Sequence, residues 1–168
     1  MDANTQKALE SLRRRKVNSS IAIAADLAND NLNSICRLAL AWISDGNVHG
    51  ISYFIKPWEG PVQAHNLTEA MLADSKPFDV VWDEDIAFLL KDAVLSAYRS
   101  ERLFPAIKAS YEASGRELPL KDVYIRDLKF LASTYMPNLA NDSLTSILHR
   151  MKIPVDMDNA LSRAMACI

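Results

Sequence analysis

Apolar and polar positions follow two periods along this chain, and each change of period marks an element. Ser20–Ala25 (Ser-Ile-Ala-Ile-Ala-Ala) is a short, almost wholly apolar run, as expected of a strand buried on both faces. Ile35–Ile43 and Val48–Ile55 read as two further strands. Asp45-Gly46-Asn47 between them predicts a hairpin turn, because Gly and Asn tolerate positive φ. Pro57–Asn66 reads as a loop, and Thr68 as the cap of a short helical turn through Met71.

Further along, Trp82, Ile86, Leu89 and Leu90 recur at helical spacing and predict a helix over Asp79–Lys91. Val94–Tyr98 is a candidate fourth strand. Leu103, Ile107 and Tyr111 mark a helix ended by Gly115. Asp122–Ile125 is a candidate fifth strand. Helices are then predicted over Leu128–Tyr135, Ser143–Met151 and Asn159–Ile168, with Pro137 and Pro154 in the breaks. Strands first, then helices alternating with strands, then a helical end: this order predicts an α/β fold with a mixed sheet. Several folds share it, so it does not by itself give a function.

Thr5–Arg15 reads as a short helix with Leu9 and Leu12 on one side, so residues 1–18 are expected to form an N-terminal extension to a domain over residues 19–168. Its run Arg13-Arg14-Arg15-Lys16 is the strongest basic cluster. It suits a solvated helix end, or contact with a phosphate backbone or an acidic partner. Otherwise the balance is slightly acidic, 19 Lys and Arg against 21 Asp and Glu, which argues mildly against a dedicated nucleic-acid binder. A local basic patch is compatible with that balance.

At 168 residues, 49% of them apolar, the chain suits one domain with a sizeable core. Cys36 and Cys167 are not in a C-x-x-C pair, which points to two free thiols rather than a zinc site. No apolar run reaches a membrane span, and the first residues lack a signal-peptide core, so a cytoplasmic setting is expected. Phosphate-cradling glycine motifs are absent. His49 and His149 have no companions at ligand spacing. Asp83, Glu84 and Asp85 suit an exposed helix start.

Several local strings, in one order, resemble the DnaQ-like (DEDDh) 3′–5′ exonucleases. Ile21–Asn29 followed by Ser34-Ile35-Cys36 is similar to the family's first motif region. His65-Asn66-Leu67-Thr68-Glu69-Ala70-Met71 resembles its His-Gly-Ile-Thr-x-x-Met segment, and Pro77-Phe78 and Trp82 keep step. Ile107–Pro119 is similar to the helix after motif two, and Asn159-Ala160-Leu161 with Ala164 to the core of the last motif. The resemblance runs from Ser20 to the C-terminus. It implies an RNase H-like fold, a mixed five-stranded sheet flanked by helices.

It also implies where the chemistry belongs. Two-metal phosphodiester hydrolysis needs several carboxylates to hold two hard cations about 4 Å apart. The family uses four acids and a histidine base. Carried over, the first Asp falls on Ala24 and its Glu on Asp26. The second motif's His-Asn falls near Tyr98 and Arg99, and its Asp on Leu103. The catalytic His falls on Asp158 and the last Asp on Arg163. Shifting the first motif by two residues makes Asp26 the first Asp, but then the Glu falls on Ala28. Asp26, with Asp158, is all that remains as a metal ligand in either register.

These departures imply an exonuclease-like domain that has lost 3′–5′ exonuclease activity, takes no cofactor, and acts by binding a protein or a nucleic-acid end. Arg163 is expected to fill the metal space and pair with Asp26 or Asp158, unless it is a surface helix residue. Asp158 also suits an N-cap of the last helix. Two alternatives stand beside this. One is an active Mg²⁺- or Mn²⁺-dependent exonuclease with a non-standard site built from Asp26, Asp156 and Asp158, approached by Asp127. The other is a structural or assembly subunit, in which a sheet edge, Trp58 or the Leu9/Leu12 face supports a homo-oligomer.

Overall fold

The computed structural model describes residues 3, 6–7, 9–10, 20–63, 66–91, 93–120, 123–139 and 141–168. The basic run Arg13-Arg14-Arg15-Lys16, Leu12, His65 and Asp122 lie outside them. The apolar runs form the strands: β1 Ser20–Leu27, β2 Ile35–Ser44, β3 Asn47–Phe54, β4 Val94–Ala97 and β5 Tyr124–Asp127. They make one five-stranded sheet in the order β3-β2-β1-β4-β5. β2 lies antiparallel to both β1 and β3, whereas β4 lies parallel to β1 and β5. The β2–β3 turn has Asp45 at φ 52° and Gly46 at φ 76°, the left-handed pair that matches the twist of a two-residue hairpin.

Alternation along the central strands sorts two different faces. Ile21 and Ile23 on β1, and Leu38, Leu40 and Trp42 on β2, enter a core of large side chains with Phe78, Val81, Trp82, Ile107 and Tyr111. Leu9 is buried in the same core. That removes it from the apolar face expected to serve assembly.

The opposite face carries Ala22, Ala24, Ala39 and Ala41. Such small residues let a helix approach closely. The C-terminal helix takes that position, burying Ala160 and Ala164 on the alanines. Gly50 on β3 extends the small surface: a Cβ there would stand 2.6 Å from Leu161 Cδ1 and 3.2 Å from Leu40 O.

The helices are α1 Glu69–Leu72, α2 Phe78–Val81, α3 Ala87–Leu90, α4 Ser100–Glu112, α5 Leu128–Tyr135, α6 Leu144–Met151 and α7 Ala160–Ala166. Thr68 caps α1, accepting the Met71 N–H at 3.3 Å, and Gly115 follows α4 at φ 81°. Three expectations need correction. The helix expected over Asp79–Lys91 is interrupted between α2 and α3 by a π turn at Trp82–Ile86. Its acids are not merely a solvated helix start: Asp83 accepts from Tyr111 Oη at 3.0 Å and Arg116 Nη1 at 2.7 Å. The fifth strand runs Tyr124–Asp127, two residues later than expected at each end.

Candidate functional site

The close seating of α7 determines what meets at the end of β1. Asp26 follows Ala22 and Ala24 on the alanine face, and antiparallel pairing puts Arg37 of β2 beside it. Arg163, on α7, descends from above. Asp26 is 1% exposed and Arg37 8%. Arg37 Nε donates to Asp26 Oδ2 at 2.6 Å, Arg37 Nη2 also contacts that oxygen, and Arg163 Nη2 donates to Oδ1. Each guanidinium is further tied to backbone. Arg37 Nη2 donates to Asp158 O at 2.7 Å, and Arg163 Nη2 to Ala25 O at 3.0 Å, while Arg163 Nη1 reaches Met157 O. Both carboxylate oxygens therefore face arginine, and two cations oppose one anion.

Above this cluster opens a cavity of about 730 Å³. Ala24, Tyr98, Leu103, Leu144 and Met157 contribute apolar wall, and Arg99, Arg102 and Arg163 the cationic groups, with Asp30 as the acid on its lining. Arg99 sits in the left-handed region at φ 57°, ψ 55°, immediately before α4. That conformation costs a non-glycine residue about 1–3 kcal/mol and persists where surrounding structure enforces it. Asp127 supplies the enforcement: its Oδ2 accepts the Ser100 N–H at 2.6 Å and Ser100 Oγ at 2.5 Å. Its Oδ1 accepts the Phe130 N–H at 3.1 Å, capping α5.

Burial pushes the Asp127 carboxyl up, but the hydroxyl of Ser100 and the N–H groups of Phe130, Ser100 and Lys129 outweigh it and hold it below the usual range. A carboxyl with a depressed folded pKa contributes stability above the unfolded value, near pH 3.9, and loses it as pH falls through the folded value. Asp127→Ala is expected to cost about 1–2 kcal/mol at pH 7, the loss of a cap and of a half-buried acceptor. Urea melts should show the difference from the parent shrinking below pH 4; a difference constant down to pH 2 would refute this role.

No family model matches the chain, and no curated protein does. Solved structures do. A product-bound structure of exonuclease I superposes at TM-score 0.70 with 10% identity, covering 90% of this chain and 42% of that one. Apo exonuclease I gives TM-score 0.71 at 11% identity, over 90% of this chain and 40% of that one. The chain thus spans about two fifths of the exonuclease I chains it matches. A structure of the yeast NOT1 MIF4G domain co-crystallised with CAF1 matches at TM-score 0.64 and 10% identity, over 98% of this chain and 82% of that one. The fold is that of the DnaQ-like exonucleases.

On a DnaQ-like frame a two-metal centre is implied, and the residues present do not fit one. Mg²⁺ requires free oxygen lone pairs at about 2.1 Å in near-octahedral geometry. The Asp26 oxygens are engaged by arginine, and a dication would enter beside two guanidinium groups. Among the described residues no three His, Cys, Asp or Glu side chains are grouped to hold a metal.

The five positions carried over from the DnaQ-like pattern meet at one end of the sheet. Ala24, Leu103 and Arg163 line the cavity, Asp26 lies buried under Arg163, and Asp158 precedes α7. The Asp158 side chain is not the helix cap. Asn159 is, with its Oδ1 accepting the Leu161 N–H at 2.9 Å. Asp158 is an exposed residue whose carbonyl serves Arg37. Asp156 accepts the Asp158 N–H, and Asp127 is committed to Ser100 and Phe130. The acids of the alternative metal site are therefore spread over separate duties.

Cys167 also faces the cavity, but burial pushes its thiol up to about 11, against the lowering effect of Arg163, so it is no thiolate near neutrality. Burial, followed by the Asp26 charge, likewise lifts Cys36 to about 11. His49 stacks on Trp42 with ring centroids 6.1 Å apart, and Trp58 Nε1 donates to Ser110 O at 3.1 Å.

Proposed function

We propose that this DnaQ-like domain binds a single nucleic-acid strand in its cationic cleft and does not hydrolyse it. The observation that carries the reading is the Asp26 carboxylate held between Arg37 and Arg163. It replaces a site that attracts divalent cations with one that repels them. The cleft keeps the features a strand needs. Arg99 and Arg102 suit phosphate oxygens, Tyr98 presents a ring for base stacking, and Leu103 adds apolar wall. Net charge near −2 is compatible with this, because Arg99 and Arg102 face the cleft with Asp30 as the acid on its lining.

In this reading residues 19–168 form the binding domain and residues 1–18 an extension whose Leu9 packs into its core. The free thiols suit a reducing cytoplasmic setting, and no helix among the described residues is long and apolar enough to cross a membrane. A protein partner is the second reading, favoured by the match to a structure in which CAF1 is co-crystallised with NOT1.

The test uses labelled single-stranded DNA and RNA. Fluorescence polarisation should show binding that EDTA leaves unchanged, and the strands should stay full-length after hours with Mg²⁺ or Mn²⁺. Release of mononucleotides that needs metal and is abolished by Asp26→Ala would overturn the reading.

A further inference from the structure

Charge on the cavity lining does not balance. Arg99, Arg102 and Arg163 line it against one carboxylate, Asp30, which also borders the neighbouring groove of Asn31 and Asn33. Three cations and one acid leave a surplus of two positive charges. Asp26, beneath Arg163, does not remove that surplus, because Arg37 shares it. Glu101 stands 3.4 Å from Arg99 Nε, but both side chains are well exposed, so water and salt screen the pair.

The arginines are also held in place. Arg163 Nη2 donates to Ala25 O and Asp26, and Nη1 to Met157 O, while among the described residues no acceptor takes its Nε. These tethers fix the guanidinium plane, which reduces the entropy lost when an anion binds. Arg99 and Arg102 share the first turn of α4, where the Arg102 N–H bonds to Arg99 O at 2.9 Å. The grip of Asp127 on Ser100 sets the backbone that presents Arg99. Fixed guanidinium groups suit the oxygens of a phosphate, which accept from them as a fork.

Each phosphate inside a strand carries one negative charge. A terminal phosphate monoester carries about 1.5 to 2 at neutral pH. The monoester is therefore the phosphate that matches the lining, and in a strand it occurs only at an end. We propose that the cleft anchors a strand by a terminal phosphate monoester, seated among Arg163, Arg99 and Arg102, with Tyr98 left for the adjoining base. A cavity of about 730 Å³ has room for such an end. The proposal rests on the strand-binding reading of the cleft. It adds that the strand is held by its end, and by guanidinium groups instead of metals.

Fluorescence polarisation of the full chain with a short labelled single strand, without metal, tests it. The strand is supplied with a 3′-phosphate, with a 5′-phosphate, or with hydroxyls at both ends. One phosphorylated form should bind at least about tenfold more tightly than the hydroxyl form. Methyl esterification of that phosphate, which leaves it one charge, should remove most of the gain. Arg102→Gln, at an exposed position, should narrow the preference with the circular dichroism spectrum unchanged. Equal binding of all three forms overturns the proposal and leaves the strand-binding reading standing, whereas no binding of any form overturns both. Displacement of the phosphorylated strand by an equimolar free mononucleotide or phosphoserine peptide would also overturn it, because the strand would then contribute nothing.

Discussion

Arg37→Ala is expected to destabilise the domain by about 3–5 kcal/mol. The reason lies in what it leaves behind. Asp26 has a side chain with no solvent exposure, and Arg37 reaches its Oδ2 through both Nε and Nη2. Truncation strands a buried carboxylate with Arg163 as its remaining arginine partner, and also frees the Asp158 carbonyl. Arg163→Ala should cost less, because that side chain lines the open cavity, from which water can replace part of it. The triple change Asp26→Leu, Arg37→Met and Arg163→Met removes every charge at once, and is expected to be near neutral or stabilising by about 1–4 kcal/mol. Urea denaturation measures all three. An Arg37→Ala midpoint within experimental error of the parent would mean that the ion cluster is not the buried, mutually dependent unit described.

The second large effect concerns the cleft. Arg99→Glu with Arg102→Glu is expected to weaken binding of a single-stranded oligonucleotide about 100-fold at low salt, by removing two phosphate partners and installing two repulsive charges. The dependence of log affinity on log salt should fall by about 0.7 for each phosphate that is no longer neutralised. Neither residue is buried, so the melting midpoint should barely move. Unchanged affinity and slope would place any nucleic-acid binding elsewhere on the molecule.

The difference between these variants shows which parts of the architecture the sequence made legible. β1 and β2 were readable because strands buried on both faces demand nearly continuous apolar runs. The hairpin was readable because Gly46 and Asn47 tolerate positive φ, although it is Asp45 that joins Gly46 in the left-handed region. The pairing of Arg163 with Asp26 was readable only through the resemblance, which placed an acid on the first strand and an arginine on the last helix in one neighbourhood. Arg37 was missed. Its signal is a lone charge in the otherwise apolar run Ile35–Ile43, and hairpin register carries it to the side of Asp26.

Other features depend on partners remote in the chain and leave little local trace. The π turn at Trp82–Ile86 sits where Tyr111 and Arg116 engage Asp83, and neither is its neighbour in sequence. Asp158 and Asn159 are equally good caps by composition. Asn159 takes the role, and the carbonyl of Asp158 serves an arginine 121 positions away. Why Arg99 tolerates a left-handed backbone is invisible until Asp127, on another strand, is seen gripping Ser100.

The central claim is that an arginine–aspartate–arginine cluster stands where the DnaQ-like fold would hold its metals. Calorimetric titration of the full chain with Mn²⁺ tests it most directly. No saturable heat up to millimolar Mn²⁺ is the result expected here. Saturable binding of two ions, lost on Asp26→Asn, would contradict it.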